Sequence, residues 1–178
     1  MSQPISGKLV DGVFRRALAS EMTDELKAQL ALNGLDLTRG VLDQRYPLEV
    51  WYRAVALTSA ALFPQHSPEE QLRRLGRLVI TSLETQRVIR GPWLAMARLM
   101  GPRRALQQLA GRLDDSPVAL SITIRGRSEV EVHVEEREQA EFLAGLLEGA
   151  CTVLGARECQ VKLVGGSTSG TTLNASWR

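Results

Sequence analysis

The sequence predicts an α+β fold, in which an N-terminal helical part packs on a C-terminal antiparallel sheet covered by one helix. Three observations point to it. Apolar residues recur at helical spacing through the first two thirds of the chain, the period switches to two after Ser116-Pro117, and helical spacing returns between Glu138 and Leu154 before two more alternating segments.

In the helical part, residues 8–19 place Leu9, Val10, Val13, Phe14 and Ala17 along one stripe. Thr23 followed by Asp24 and Glu25 starts a second helix, and Asn33-Gly34 closes it. A loop through Asp36–Arg45 follows. Tyr46-Pro47 opens a third helix, with Val50, Ala54, Leu57, Ala61 and Leu62 on one side. Ser67-Pro68-Glu69-Glu70 supplies a cap, a proline in the first turn and a glutamate placed to close a capping box, so a fourth helix runs through Leu72, Leu75, Gly76, Val79 and Leu83. Gly91-Pro92 and Gly101-Pro102 each begin a shorter helix.

In the sheet part, Leu120, Ile122 and Ile124 alternate with polar residues. After a Gly126-Arg127 turn, Val130, Val132 and Val134 alternate with Glu131, His133 and Glu135. The helix from Glu138 to Leu154 turns Phe142, Leu143, Leu146, Leu147 and Ala150 inward. A second hairpin runs from Cys159, Val161 and Leu163 through GGSTSG to Leu173, Ala175 and Trp177. The result is a ββαββ unit with one apolar sheet face. With no repeat or low-complexity linker, the expected organisation is one compact domain, 1–178, made of a helical subdomain, 1–115, and a ββαββ subdomain, 116–178.

A chain of 178 residues can bury a core without disulfides or metals, and 44% hydrophobic with 24% charged residues is ordinary for a globular protein. No apolar run is long enough to span a bilayer, and MSQPISGKLVDG lacks the basic start and apolar centre of a signal peptide, so a cytoplasmic protein is expected. Cys151 and Cys159 sit apart from any CxxC or Cys/His cluster; they are expected to be small core residues, with no disulfide and no metal site. The net charge of +2 hides an asymmetry: nine arginines between residues 71 and 112 face the single acid Glu84, whereas the chain after residue 113 leans acidic. Without accompanying aromatics and Gly-Lys loops, the arginines are expected to form solvated helix faces rather than a nucleic-acid surface.

No Ser-His-Asp arrangement, Walker loop or dinucleotide-binding glycine motif is present, and GGSTSG precedes a strand, so it offers no helix N-terminus to phosphate. His66, in FPQHSP, is expected to be an exposed spacer. His133 shares a strand face with Glu131 and Glu135, a pattern expected of a solvated face more than of an acid–base pair. The chain is therefore not expected to be an enzyme. Trp51 and Tyr52 are neighbours on the third helix, so one must turn from its apolar stripe. With Trp93, Met96 and Arg137 they are the candidate lining of a ligand pocket between the subdomains; partial burial in the helix bundle is the alternative.

GVFRRAL, LNGL, SPEEQLRRLGRLVI and AGLLEGACTVLGARECQV, in this order along the chain, resemble the haem-nitric-oxide/oxygen-binding (H-NOX) sensor fold. YPLEVWYRA, ALFP, LRRLGR, GPRRAL, GLLEGA and the closing SW are similar to an uncharacterised family of like length known from myxobacteria. The resemblance implies a helical subdomain followed by a sheet with a covering helix. The sensor fold holds haem through a histidine on a helix ahead of the sheet and binds its propionates with a Tyr-x-Ser-x-Arg motif. Here residues 91–113 contain no histidine, and the motif positions hold His133, Glu135 and Arg137. The expectation is a retained fold without the haem and with no cofactor, its vacated space filled by Trp93, Leu94, Met96, Leu99 and Met100, and Arg137 anchoring the last helix. The function expected is a non-catalytic regulatory or interaction module in signalling, acting through a protein partner, self-association or a small apolar ligand. The alternative is a haem-based gas sensor with His66 or His133 as an unconventional axial ligand.

Overall fold

A computed structural model describes residues 4–85, 92–110, 120–134, 139–167 and 170–178. Short strand β1 (Ile5–Ser6) pairs antiparallel with β2 (Arg45–Tyr46). Ser6 caps helix α1 (Gly7–Val10), its side chain accepting from Lys8 N. The helix continues over Asp11–Ala17 as a π-helix rather than as the α-helix expected over 8–19. The five-residue spacing is visible in two bonds: Leu18 N donates to Val13 O at 3.0 Å, and Arg16 Nε reaches Asp11 Oδ2 at 2.9 Å.

Helix α2 (Asp24–Leu32) is capped by Thr23 Oγ1 on Leu26 N and ends at Asn33, followed by Gly34 at φ 91°. Helix α3 (Leu48–Leu62) starts after Pro47. Its buried stripe runs through Leu48, Trp51, Ala54, Val55, Thr58 and Ser59, while Ala61 is exposed; the large Trp51 ring, inserted into the core, rotates the helix away from the expected stripe. Helix α4 (Pro68–Thr85) begins at Ser67, whose Oγ accepts from Glu70 N. The expected capping box stays half-formed, because the Glu70 carboxylate turns instead to Arg74 at 2.9 Å.

Helix α5 (Pro92–Ala110) is broken at Gly101, φ 77°, ψ 165°, ahead of Pro102, as the two Gly-Pro pairs predict. Strands β3 (Leu120–Ile124), β4 (Glu129–Val134), β5 (Gln160–Ser167) and β6 (Gly170–Ser176) form one antiparallel sheet in the order β3-β4-β6-β5. Helix α6 (Ala140–Val153) lies between β4 and β5 in sequence. Val130, Val132 and Val134 face the same side as their partners Ala175, Leu173 and Thr171. Leu163 does not join that core as expected: a register shift between Leu163 and Gly165 leaves it and Val164 exposed. The α+β architecture is the one the sequence predicts.

Helix α6 differs from the expected one-sided helix. It is wedged between α4 and the sheet, so beside Phe142 its buried positions include the small Ala144, Gly145, Gly149 and Cys151, with the leucines only half-buried. Along α4 the helix backbones touch. A Cβ on Gly76 would lie 2.7 Å from Leu146 N and closer still to Phe142 O; one on Gly145 would lie 2.8 Å from Arg73 C, and one on Gly149 2.9 Å from Ile80 Cβ. Three glycines from two helices thus form a seam that admits no side chain.

Beside the seam, Arg73 donates to Glu148 at 2.8 and 3.1 Å and to Val161 O on β5, and lies 3.4 Å from Glu141; Arg77 meets the other Glu148 oxygen at 3.0 Å. Arg98 bonds Glu84 and donates to Val153 O at 2.8 Å. The arginine block is therefore only in part the solvated face expected: Arg103 and Arg104 are exposed, but Arg73, Arg77 and Arg98 tie separate elements together. Arg87, Arg90 and Arg112 lie outside the described residues.

Gly76→Ala is expected to overpack the seam at a cost of about 1–3 kcal/mol, lowering Tm by roughly 2–12 °C. Gly12→Ala, whose Cβ meets nothing within 4 Å, is expected to hold or raise Tm. Thermal unfolding followed by circular dichroism checks both. Glu148→Gln, which strips Arg73 and Arg77 of their shared carboxylate, is expected to cost about 2–4 kcal/mol in urea unfolding at pH 7. Glu141 behaves oppositely. Burial holds its carboxyl above the usual range despite Arg73, so its ionised form weighs against the fold above the folded pKa, and that penalty fades as pH falls through the folded pKa and is gone below the unfolded one. Glu141→Gln should be neutral or stabilising at pH 7, with the difference from wild type closing towards pH ~4.

Candidate functional site

Trp51 is 6% exposed and sits at the centre of an aromatic cluster, edge-on to Phe14 at 5.7 Å and to Phe142 at 6.2 Å between ring centroids. Phe14 comes from the π-helix, Trp51 from α3 and Phe142 from α6, so the cluster joins the helical part to the covering helix. Tyr52, one position on, is half-buried, and its hydroxyl is shielded without a hydrogen-bond partner among the described residues. Trp51 is thus a core residue, and Tyr52 is the one that turns aside.

The other expected pocket residues do not assemble around them. Met96 is 52% exposed and Leu99 89% exposed, both on the outside of α5, while Leu94 and Ala97 face the core. The expectation that Met96 and Leu99 fill a vacated space is corrected: helical geometry places positions 94 and 97 on one face and 96 and 99 on another, and α5 turns the former inward. The side chain of Trp93 and all of Arg137 lie outside the described residues, as does Glu135.

His133 points from β4 to the sheet face away from α6, where its Nδ1 lies 3.2 Å from Thr172 Oγ1, its partner across the strands. Glu131 on the same face is held by Arg125 at 2.8 Å, and that bond keeps its carboxyl below the usual range. The His133–Glu131 pair is therefore not a free acid–base couple. His66, half-exposed in the turn before α4, is fixed through its backbone, accepting from Gln71 Nε2 at 2.9 Å. Both cysteines are free thiols. The two thiols influence each other's ionisation: Cys159, with burial, pushes Cys151 far above the ordinary thiol range, while Cys159 is lowered by Cys151. The sequence placed them in separate settings, because an eight-residue separation across a helix end does not reveal that the thiols meet.

At the end of the sheet from which α6 departs, Gln139 Oε1 and Thr171 Oγ1 are buried without partners among the described residues. Sequence reasoning missed both; a glutamine at a helix start and a threonine on an apolar strand parity were the only signals. The resemblance to a haem sensor is tested by the donors that α5, α6 and the sheet supply. Helix α5 offers no histidine, His133 lies on the opposite sheet face, and His66 lies in the α3–α4 turn. No imidazole from the described residues enters between α5 and α6, so these residues do not fit a haem held from the helix ahead of the sheet. Among the described residues there is no cluster of three metal-ligating side chains, and no helix is long and apolar enough to cross a membrane.

Solved structures share this architecture over nearly their whole length. An Fe(II) unliganded H-NOX protein from K. algicida is similar at 10% identity with a TM-score of 0.64, covering 98% of this chain and 97% of that one. An oxygen-binding H-NOX domain related to soluble guanylate cyclases is 17% identical, TM-score 0.61, over 98% and 95% of the two chains. A mutant H-NOX from T. Tengcongensis is 18% identical, TM-score 0.60, over 98% of each. At such identity these likenesses establish the fold alone. No curated protein matches the sequence. The model of a family described as protein of unknown function (DUF2378) matches residues 4–178, and the chain belongs to that family.

Proposed function

We propose that this chain is a non-catalytic sensing or interaction module that keeps the H-NOX fold, works without haem, and acts on a protein partner. The observation that supports this most directly is the placement of the two histidines, one behind the sheet and one in a turn, with none on α5. A second supports the partner: Met96 and Leu99, three residues apart on α5, present an apolar strip to the outside. An enzyme is not supported, because on the outer sheet face Glu131 is bound by Arg125, His133 meets Thr172 and Glu129 accepts from Asn174.

The protein purified after expression with haemin is expected to be colourless, with no Soret band. A Soret band lost in His66→Ala or His133→Ala would establish the alternative, a haem sensor with an unconventional ligand. Native mass of protein taken from its own host should exceed that of one chain through a bound partner or a second copy. The arginines of α4 and α5 that are ion-paired should also leave duplex DNA binding undetectable, or no more than non-specific, at physiological salt; a steep salt-dependent affinity measured by fluorescence anisotropy would contradict this reading.

A further inference from the structure

Away from the seam, a groove of about 930 Å³ opens between the π-helix and the loop leading into β2, with Leu83 of α4 at one side. Its size is that of a small-molecule cleft. The apolar wall consists of Val41, 85% exposed, and of Leu42 and Leu83, each half-buried against the core with one side open to the groove.

The charges around the groove do not cancel. Asp11 is paired with Arg15 and Arg16, and Asp43 lies 3.8 Å from Arg39, so both carboxylates are matched. Arg15 is further occupied by the carbonyls of Leu37, Arg39 and Gly40, which fix the loop as the opposite wall. Lys8 and Arg45 also line the groove, and their side chains have no ion-pair or hydrogen-bond partner among the described residues. Two unmatched cations therefore stand beside a partly open apolar wall.

The glycines agree with an occupied groove. Gly7 is required by the fold, since a Cβ there would strike the Asp43 carbonyl. Gly12 and Gly40 are not: a Cβ on either meets nothing within 4 Å, and neither has a positive φ. A glycine within a helix weakens it relative to alanine, and close backbone approach by a ligand is a use that offsets this.

We propose that this groove binds a free small-molecule amphiphile with one anionic head group, its apolar body lying on Gly12, Val41, Leu42 and Leu83 and its head group at Lys8 and Arg45. The site is separate from the space that haem would need, so its test and the haemin test fail independently.

The test is isothermal titration of the full chain with decanoate, decanol and decyltrimethylammonium. Decanoate is expected to bind one-to-one and saturably, with decanol and the cation at least tenfold weaker. Lys8→Gln/Arg45→Gln should weaken decanoate at least tenfold, and Gly12→Phe should remove its binding, while both variants unfold at temperatures near wild type without ligand. Absence of saturable decanoate binding overturns the proposal. So does equal binding of the cationic amphiphile, unchanged affinity in the double variant, or binding only to phosphatidylglycerol vesicles. Should Gly12→Phe fold poorly, Val41→Asp is the second variant, and its undiminished affinity for decanoate counts equally against the site.

Discussion

The close contact of α4 with α6 is the constraint on which the rest of the structure depends. Helices ordinarily pack at 8–10 Å between axes because side chains separate them. Here Gly76, Gly145 and Gly149 remove the separation, so the backbones meet and dispersion acts over the full contact. This brings the helical part against the helix that covers the sheet, and places Phe142 within reach of Trp51 and Phe14. It also brings Arg73 deep enough to span three elements. Burial opposes the charge of Arg73, and the bonds to Glu148 more than offset that, leaving its pKa raised. The ion pair is local support for a geometry the glycines permit; without the close approach the guanidinium could not reach Val161 O.

The two halves have separate hydrophobic cores. One is built from α1, the π-helix, α2, α3 and α4, with Phe142 contributed from α6. The other is built from the sheet, α5 and the opposite face of α6. Helix α6 belongs to both, which explains why its residues alternate between large and small in a pattern that a one-sided amphipathic helix does not show.

Much of this was legible in the sequence where a local rule decides the outcome. The Thr23 and Ser67 caps, the Gly101-Pro102 break and the alternating Val130, Val132 and Val134 are fixed by their immediate neighbours, and the structure has them where expected. What was not legible depends on contacts between distant segments. Nothing local says that Gly76 and Gly145 face each other, that Arg73 is a tie rather than a solvated cation, or that α5 turns Met96 outward. The same holds for the candidate site. Trp51 and Tyr52 were singled out as large aromatics, yet which of them enters the core is decided by Phe14 and Phe142, far away in the chain. The cationic groove was missed because Lys8 and Arg45 are thirty-seven positions apart and meet only through the pairing of β1 with β2.

The π-helix at Asp11–Ala17 has a consequence for how this chain is compared with others. A π-turn accommodates one more residue than the α-turn it replaces, so it is an insertion absorbed inside a helix instead of in a loop. A homologue whose first helix is wholly α-helical would be one residue shorter here. An alignment with it places its gap in the middle of an apolar stripe, and one that moves the gap into the neighbouring loop shifts Phe14 and Ala17 out of register with their true counterparts.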